Sequence, residues 1–193
     1  YSLPAENIDY TEHNFANIKS LRIGVIKNFG MEKFFSNLNV EEEINLKINE
    51  SIQVMRNEGL HIIDNIDLDW PHNPANIFNT MWQTGAANLS KKISNEEFSK
   101  IDKNFLGFIE KGNSYSVFDL MGAEAMRAEN AVYLSHVFEK VDIIIGPTMP
   151  VASFDAERNV PEGWDQEDIF SWTPFTYPFN LTKHPASTIN CNF

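Results

Sequence analysis

The sequence predicts a protein of the α/β class, because strand-like and helix-like segments alternate along it. Leu21–Ile26 (LRIGVI) is a short apolar, β-branched run, which is typical of a strand. A helical pattern then runs from Val40 to about Glu58, and Leu60–Ile66 (LHIIDNI) has a second strand pattern. A strand, a helix and a strand with short links predict a βαβ unit with a right-handed crossover. Val141–Gly146 (VDIIIG), the most apolar run, predicts a further buried strand that Pro147 ends.

The first predicted helix has a start signal, a buried face and a stop signal. Asn39 is of a residue type that caps helix N-termini, and the three glutamates at 41–43 suit the first turn. Gly59 supplies the stop. Apolar residues at steps of four and three predict one buried stripe: Ile44, Ile48, Ile52 and Met55.

Helices are also predicted through the middle of the chain. Asn76–Leu89 carries Ile77, Met81 and Trp82 on one side. Two sequences match the capping box, in which a serine and an acidic residue three positions later satisfy each other's backbone N–H groups. Ser94 with Glu97 predicts a helix to about residue 110, and Ser116 with Asp119 predicts a long helix to about residue 140. These four side chains are interpreted as markers of helix starts.

The C-terminal third is expected to be largely irregular but ordered. Thr148–Pro178 is rich in Pro, Trp and Phe and has no helical period. Large aromatic side chains need burial, and this segment has Trp164, Phe170, Trp172 and Phe175. Ser187–Phe193 predicts a last strand. No repeat or linker divides the chain, so residues 1–193 are expected to form a single domain.

The composition indicates which partners and which cellular compartment to expect. The 193 residues carry a formal net charge of −12, which repels phosphate backbones, so we expect no nucleic-acid partner. One cysteine, Cys191, cannot form a disulfide within the chain and fits a reducing compartment. We find no secretory leader pattern and no long uncharged apolar run, so we expect a cytoplasmic protein without a membrane association.

Three short motifs are better explained as structural features. Gly107–Ser114 (GFIEKGNS) nearly matches the phosphate-loop pattern, but Asn113 occupies the lysine position and the segment follows a helix, which predicts a helix end. His136 and Glu139 are spaced to share a metal ion, but one histidine and one glutamate make an incomplete zinc site. The acidic turn at 64–72 lacks the alternation and the glycine of a calcium loop. We therefore expect no metal and no cofactor.

The sequence also lacks the residue patterns that nucleophilic catalysis needs. A serine nucleophile needs a strained or glycine-lined turn, and no G-x-S-x-G occurs. Ser114 and Ser116 are interpreted as a turn residue and a helix cap. Cys191 with His184 could form a thiol–imidazole pair, but the apolar, strand-like surroundings of Cys191 favour a small buried hydrophobe. We expect no catalytic residue in this chain.

Trp172–Ala186 (WTPFTYPFNLTKHPA) resembles the W-x-P-F-T-Y-P-F-N-L-T-G-x-P-A stretch of the amidase signature family. Other segments resemble family segments in the same order: YSLPAENIDY at the start, LRIGVIKNFG (Leu21–Gly30), FNTMWQTGAANL (Phe78–Leu89) and VFEKVDIIIGPTMPVASF (Val137–Phe154). The resemblance covers essentially the whole chain. It implies an α/β fold with a mixed central sheet flanked by helices, and hydrolysis, or sometimes transfer, of a small-molecule amide.

The same resemblance implies that this chain is the C-terminal portion of an amidase, a single incomplete domain. The family's nucleophile is a serine that a lysine activates through a second serine, and those residues lie upstream of the segments present here. Two hypotheses follow. Either the parent protein is an amidase of which this chain is an inactive part, or the chain is a non-catalytic module that binds a small molecule or a subunit. In both cases we expect self-association or pairing with the missing N-terminal part, because truncation bares apolar faces.

Three positions are expected to contact substrate by resemblance. Arg127 matches a substrate-contacting arginine of the aminoacyl-tRNA amidotransferase branch, although a surface salt bridge is an equally good interpretation. Thr173 occupies the position of that branch's substrate-binding aspartate, which favours a plain amidase. Trp172 is expected to line the pocket, or else to pack as a core aromatic. Lys183 stands where the family has glycine; if the backbone there has a positive φ, lysine costs about 1 kcal/mol.

Overall fold

The computed structural model describes residues 15–35, 38–64, 66–165, 168 and 170–191. A 3₁₀ helix at Phe15–Ser20 precedes the regular elements. In chain order these are β1 (Arg22–Val25), α1 (Glu42–Asn57), β2 (His61–Ile63), α2 (Pro74–Ser90), α3 (Asn95–Phe98), α4 (Lys103–Ser114), α5 (Val117–Phe138), β3 (Ile143–Ile145) and α6 (Tyr177–Thr182). The alternation of strands and helices confirms the predicted α/β class. None of the helices in the described ranges is long and apolar enough to cross a membrane.

The described strands form a three-stranded sheet in the order β2-β1-β3. Both pairs are parallel: Ile23 of β1 lies opposite Ile62 of β2 on one side and opposite Ile143 of β3 on the other. The predicted βαβ unit is thereby confirmed, with α1 connecting β1 and β2. In this arrangement β1 is the central strand and its carboxyl end lies between those of its neighbours.

The start of α1 differs from the prediction. The cap is Glu41, without a side-chain cap hydrogen bond, and not Asn39. The Glu41 N–H donates to the Pro150 carbonyl and its Oε2 accepts from the Ala152 N–H, both at 2.9 Å. Contacts with a distant loop therefore fix the start of the helix. The stop is confirmed, because Gly59 has a φ of +79°.

The predicted helix after Ser94 is in fact two helices. Ser94 and Glu97 do form a capping box, with the Ser94 N–H donating to Glu97 Oε2 at 3.0 Å, but α3 ends at Phe98. Asp102 then caps α4, accepting from the Asn104 N–H at 2.9 Å. The GFIEKGNS segment lies inside α4, so it is part of a helix and not a phosphate loop.

The long helix α5 begins as predicted. The Ser116 N–H donates to Asp119 Oδ2 at 2.7 Å, and the Asp119 N–H donates to Ser116 Oγ at 3.2 Å. Hydrogen bonds from the Ser116 hydroxyl and then from its backbone lower the pKa of Asp119. The capping box is therefore complete and holds its acidic residue ionised.

Of the last two strands predicted from the sequence, one is absent over the described residues and the other is confirmed over fewer residues. Residues 187–191 form no strand, and residues 185–190 are exposed; 192 and 193 lie outside the described residues. The buried strand at Val141–Gly146 is present only as the three residues of β3, and Ile143 is 40% exposed. It lies at an edge of the described sheet, so one side has no neighbouring strand to cover it.

An ion pair joins the ends of β1 and β3 and predicts a pH dependence of stability. Arg22 Nη2 lies 2.8 Å from Asp142 Oδ1, and side-chain and backbone hydrogen bonds from Arg22 lower the pKa of Asp142 to about 2. Because the folded state holds the carboxylate ionised, this contribution is present above the unfolded pKa near 4 and is lost as the pH falls through about 2. We expect Asp142→Asn to lose stability at neutral pH and to show a shallower decline between pH 4 and 2 in acid titrations of the unfolding midpoint. An equally steep decline in the variant would contradict this assignment.

Candidate functional site

The segment Trp172–Ala186 packs over the carboxyl end of the central strand β1. Its buried side chains include Phe175, Tyr177 and Leu181. The ring of Phe29, which follows β1, lies 5.6 Å from the ring of Phe175 and 5.2 Å from that of Phe179. The segment that carries the family resemblance is thus an aromatic plug at the end of the sheet.

The turn after β1 is shaped to present Phe29 to this plug. Phe29 and Gly30 have φ values of +51° and +70°, so two successive residues are left-handed. The Trp70 indole N–H donates to the Phe29 carbonyl at 2.7 Å and satisfies it in the core. A Cβ on Gly146, after β3, would lie 2.3 Å from the Ile26 carbonyl oxygen, so only glycine allows the two turns to approach.

Trp172 and Thr173 lie in the turn that leads to α6. Trp172 is half-buried and packs edge-to-face against Phe154, with ring centroids 4.9 Å apart. The Thr173 N–H and hydroxyl both donate to the Phe170 carbonyl at 3.0 Å. In this structure Trp172 therefore makes an aromatic packing contact, and the Thr173 hydroxyl closes a turn.

Arg127 connects α5 to the end of α6. Its Nε–H donates to Glu124 at 2.8 Å and its Nη1 donates to the Leu181 carbonyl at 3.1 Å. The side chain is only 19% exposed. Arg127 therefore forms a salt bridge with Glu124, and its contact with substrate remains a prediction. Arg127 thus contacts the end of α6, whereas Thr173 lies in the turn before this helix.

Lys183 has a φ of +61° and occupies the left-handed position that ends α6. The condition under which lysine is expected to cost stability here, a positive φ, is therefore met. We expect Lys183→Gly to raise the free energy of unfolding by about 1 kcal/mol, because glycine adopts this conformation without a Cβ clash. Lys183→Ala is the control, since it removes the same side chain but keeps the Cβ. Denaturant unfolding of the three proteins at one concentration measures the difference, and equal effects of Gly and Ala would contradict it.

A cleft of about 640 Å³ opens at the carboxyl ends of β1 and β2. Its charged lining residues are Lys27 after β1, Arg56 on α1, and Asp64 and Asp67 after β2. Sequence reasoning missed this cleft. The available signal was the polar residues that directly follow two adjacent parallel strands, where ligand sites of α/β sheets occur. Arg127, Trp172 and Thr173 do not line it.

A smaller cleft of about 310 Å³ contains His136 and Glu139, with Asp67, Tyr133 and Lys140. Among the described residues, no three His, Cys, Asp or Glu side chains are grouped so that they could hold a metal ion. His136 and Glu139 therefore have no third metal ligand beside them among the described residues.

His184 approaches a serine but does not form a nucleophile–base pair with it. Ser135 Oγ lies 3.5 Å from His184 Nε2 and donates to the Ala131 carbonyl at 3.0 Å. The imidazole stacks on Phe138, and within the described ranges no group bonds its buried Nδ1. A catalytic histidine needs a shorter bond to the nucleophile and a third group to orient it. Cys191 is half-buried and lies outside any strand, unlike the buried strand residue that was predicted.

A second aromatic group lies where α2 meets the plug, and sequence reasoning did not find it. Phe78 stacks on Tyr177 and on Trp82, with ring centroids 4.9 and 5.3 Å apart. Burial, and then the nearby Asp168 carboxylate, raise the pKa of the Tyr177 phenol well above its ordinary value. The hydroxyl is buried and makes no hydrogen bond to any described residue. It therefore stays protonated.

The Amidase family model matches residues 1–193. The chain belongs to the amidase family. An acylamidase of Rhodococcus erythropolis is 20% identical over 197 residues, covering 100% of this chain and 40% of that protein. An amidase of Pseudomonas putida is 24% identical over 88 residues, covering 44% of this chain and 19% of that protein. The chain thus spans at most about two fifths of the length of these relatives.

The fold agrees with this assignment. The crystal structure of a bacterial aryl acylamidase of the amidase signature family superimposes with a TM-score of 0.66 at 18% identity. The match covers 90% of this chain and 38% of that one. At this identity the likeness establishes the fold, and the amidase chain again extends well beyond the matched part.

Proposed function

We propose that this chain is part of an amide hydrolase that uses a Ser-Ser-Lys mechanism, with the catalytic residues outside the 193 residues. The match of the family model to residues 1–193 is the observation that carries the proposal. The site geometry is compatible with it. In the part of the chain that the structure describes, Ser135 is bonded within its own helix and the approaching His184 has no orienting partner. Residues 1–193 are then one incomplete domain that supplies the body of the enzyme.

In this proposal the plug and its supports shape one wall of the substrate site. Trp172 contributes an aromatic surface, and Thr173 replaces a charged group with a neutral one, which suits an uncharged small-molecule amide. Arg127 has its Nε and Nη2 engaged by Glu124 and its Nη1 by the Leu181 carbonyl, which uses three of its N–H donors. A guanidinium carries five N–H donors, so Arg127 can hold α6 and also offer a donor to substrate.

The proposal is tested by comparing the 193-residue chain with the same chain joined to its adjoining coding sequence at amidase length. The isolated chain should not hydrolyse an anilide, and the extended protein should. In the extended protein Arg127→Lys should raise KM more than it lowers kcat, because it removes binding that the substrate and the transition state share. Turnover by the isolated chain that a serine-directed inhibitor abolishes would overturn the proposal.

The alternative is a non-catalytic module that binds a small molecule or a subunit. The absence of a catalytic constellation among the described residues favours it equally. Joining the adjoining sequence separates the two hypotheses, since a module gains no amidase activity from it. We place either form in the cytoplasm, on the single cysteine, and expect no nucleic-acid partner, on the net charge of −12.

We also propose that the isolated chain associates through α5. One face of this helix exposes large apolar side chains: Val117 (66%), Phe118 (83%), Met121 (64%) and Val132 (58%). Contiguous exposed apolar surface of this kind marks an interface that is covered in the functional protein. Self-association of the isolated chain, or pairing with the remainder of an amidase, would cover it.

Phe118→Gln is therefore expected to weaken self-association by about tenfold, since it removes the most exposed ring from the face. Sedimentation equilibrium over a range of protein concentrations measures the effect. Val54→Gln is the matched control, because Val54 is 60% exposed but lies on α1. An equal effect of both substitutions, or a monomeric wild-type chain, would contradict this assignment.

A further inference from the structure

We propose that the cleft at the carboxyl ends of β1 and β2 binds a small zwitterion with one carboxylate and one ammonium group, an α- or ω-amino acid. This inference is independent of the proposed amidase activity. The cleft has a volume of about 640 Å³, and buried side chains of Val25, Ile26 and Ile52 form its apolar base. An apolar base with a few polar groups around it is the usual composition of small-molecule sites. The cleft lies outside the carboxyl ends of parallel strands, the end of an open α/β sheet at which ligands bind.

The charges that line the cleft balance each other. Lys27 and Arg56 are positive, and Asp64 and Asp67 are negative. Arg56 Nη2 lies 2.5 Å from both carboxylate oxygens of Asp64, so these two charges are already compensated. Lys27 and Asp67 are therefore the two charges that remain available to a ligand.

Lys27 and Asp67 are exposed, and neither side chain has a hydrogen-bond or ion-pair partner among the described residues. An ammonium group binds a ligand carboxylate, and a carboxylate binds a ligand ammonium. A ligand of only one charge would satisfy one of them and meet repulsion from the other. A zwitterion satisfies both, which is why we infer this class rather than a simple anion or cation.

The face of α1 adds uncharged polar groups. Asn49, Gln53 and Arg56 are four and three residues apart, so they share the helix face that lines the cleft. The Gln53 amide donates to Asn57 at 3.1 Å, which orients it along the helix. Asn49 can supply a donor and an acceptor to the middle of the ligand.

Asp67 borders both clefts. This residue also lines the smaller cleft, together with Lys140, His136 and Glu139. Lys27 lines only the larger cleft, so a requirement for Lys27 identifies which cleft is occupied. Lys140→Gln is for this reason the matched control.

Titration calorimetry and NMR shift mapping of the 193-residue chain with glycine, β-alanine, 4-aminobutyrate and 5-aminopentanoate test the proposal. At least one should bind saturably in the millimolar range and more tightly than butyrate or butylamine. Lys27→Gln and Asp67→Asn should each weaken its binding by about tenfold, whereas Lys140→Gln should leave it unchanged. No saturable binding of any of the four, or binding that Lys27→Gln leaves intact, would overturn the proposal. Circular dichroism of each variant verifies that it is folded.

Discussion

Trp70→Ala is expected to lower the free energy of unfolding by about 4 kcal/mol, the largest effect of any single substitution considered for this chain. Trp70 is 1% exposed and packs edge-on against Phe179 with ring centroids 6.4 Å apart. Its indole N–H also donates to the Phe29 carbonyl at 2.7 Å. Alanine would leave a large cavity and an unsatisfied carbonyl beneath the plug. At this chain length the unfolding temperature should fall by about 12 °C.

Two further variants separate the contributions to this effect. Trp70→Phe keeps most of the ring volume but removes the N–H, and should cost about 2 kcal/mol because the Phe29 carbonyl loses its partner. Trp82→Ala is the control, since Trp82 is 55% exposed and should cost about 1 kcal/mol or less. Guanidinium unfolding followed by circular dichroism, at one protein concentration, measures all three. An equal loss for Trp70→Ala and Trp82→Ala would contradict the assignment of Trp70 to the core.

Gly112→Ala should destabilise the protein by about 3 kcal/mol, because α4 crosses α2 at this glycine. A Cβ at Gly112 would lie 2.0 Å from the Gln83 carbonyl oxygen and 2.9 Å from the Ala87 Cβ. A backbone carbonyl within a helix cannot rotate away, so the helices would have to separate. Helix propensity alone predicts the opposite sign, since alanine in a helix is favoured over glycine by up to about 1 kcal/mol.

Gly107→Ala provides the matched control in the same helix. A Cβ at Gly107 meets nothing within 4 Å, so the substitution should stabilise the protein by about 0.5–1 kcal/mol. The two glycines should therefore respond with opposite signs in the same unfolding experiment. A stabilising Gly112→Ala would show that α2 and α4 do not approach closely at this point.

Local signals account for the elements that the sequence predicted correctly. The capping box at Ser116 and Asp119 and the stop at Gly59 depend on hydrogen bonds and φ angles within one turn, and both are present. The alternation of strand and helix patterns was enough for the βαβ unit. The predicted start of α1 was wrong because a hydrogen bond from Glu41 to Pro150 fixes the observed start. Pro150 lies more than one hundred residues away in sequence, so no local signal could reveal this contact.

The strand prediction at the C-terminus failed because contacts with distant parts of the chain, and not local signals, decide whether a strand forms. The last strand was predicted from β-propensity, which depends on the neighbouring strands and not only on the residues themselves. For the site, resemblance pointed to Arg127, Trp172 and Thr173, while the structure shows what each contacts within the chain. The cleft could not be found from one segment, because its lining comes from β1, α1 and β2 together.

The most direct test of the central claim is to locate the serine that reacts. The 193-residue chain and its amidase-length extension would each be treated with a fluorophosphonate probe, digested and analysed by mass spectrometry. We predict that the isolated chain is not labelled and that the extended protein carries the probe on a serine outside residues 1–193. Stoichiometric labelling of a serine within these residues, such as Ser135, would contradict the proposal that this part of the amidase fold contains no nucleophile.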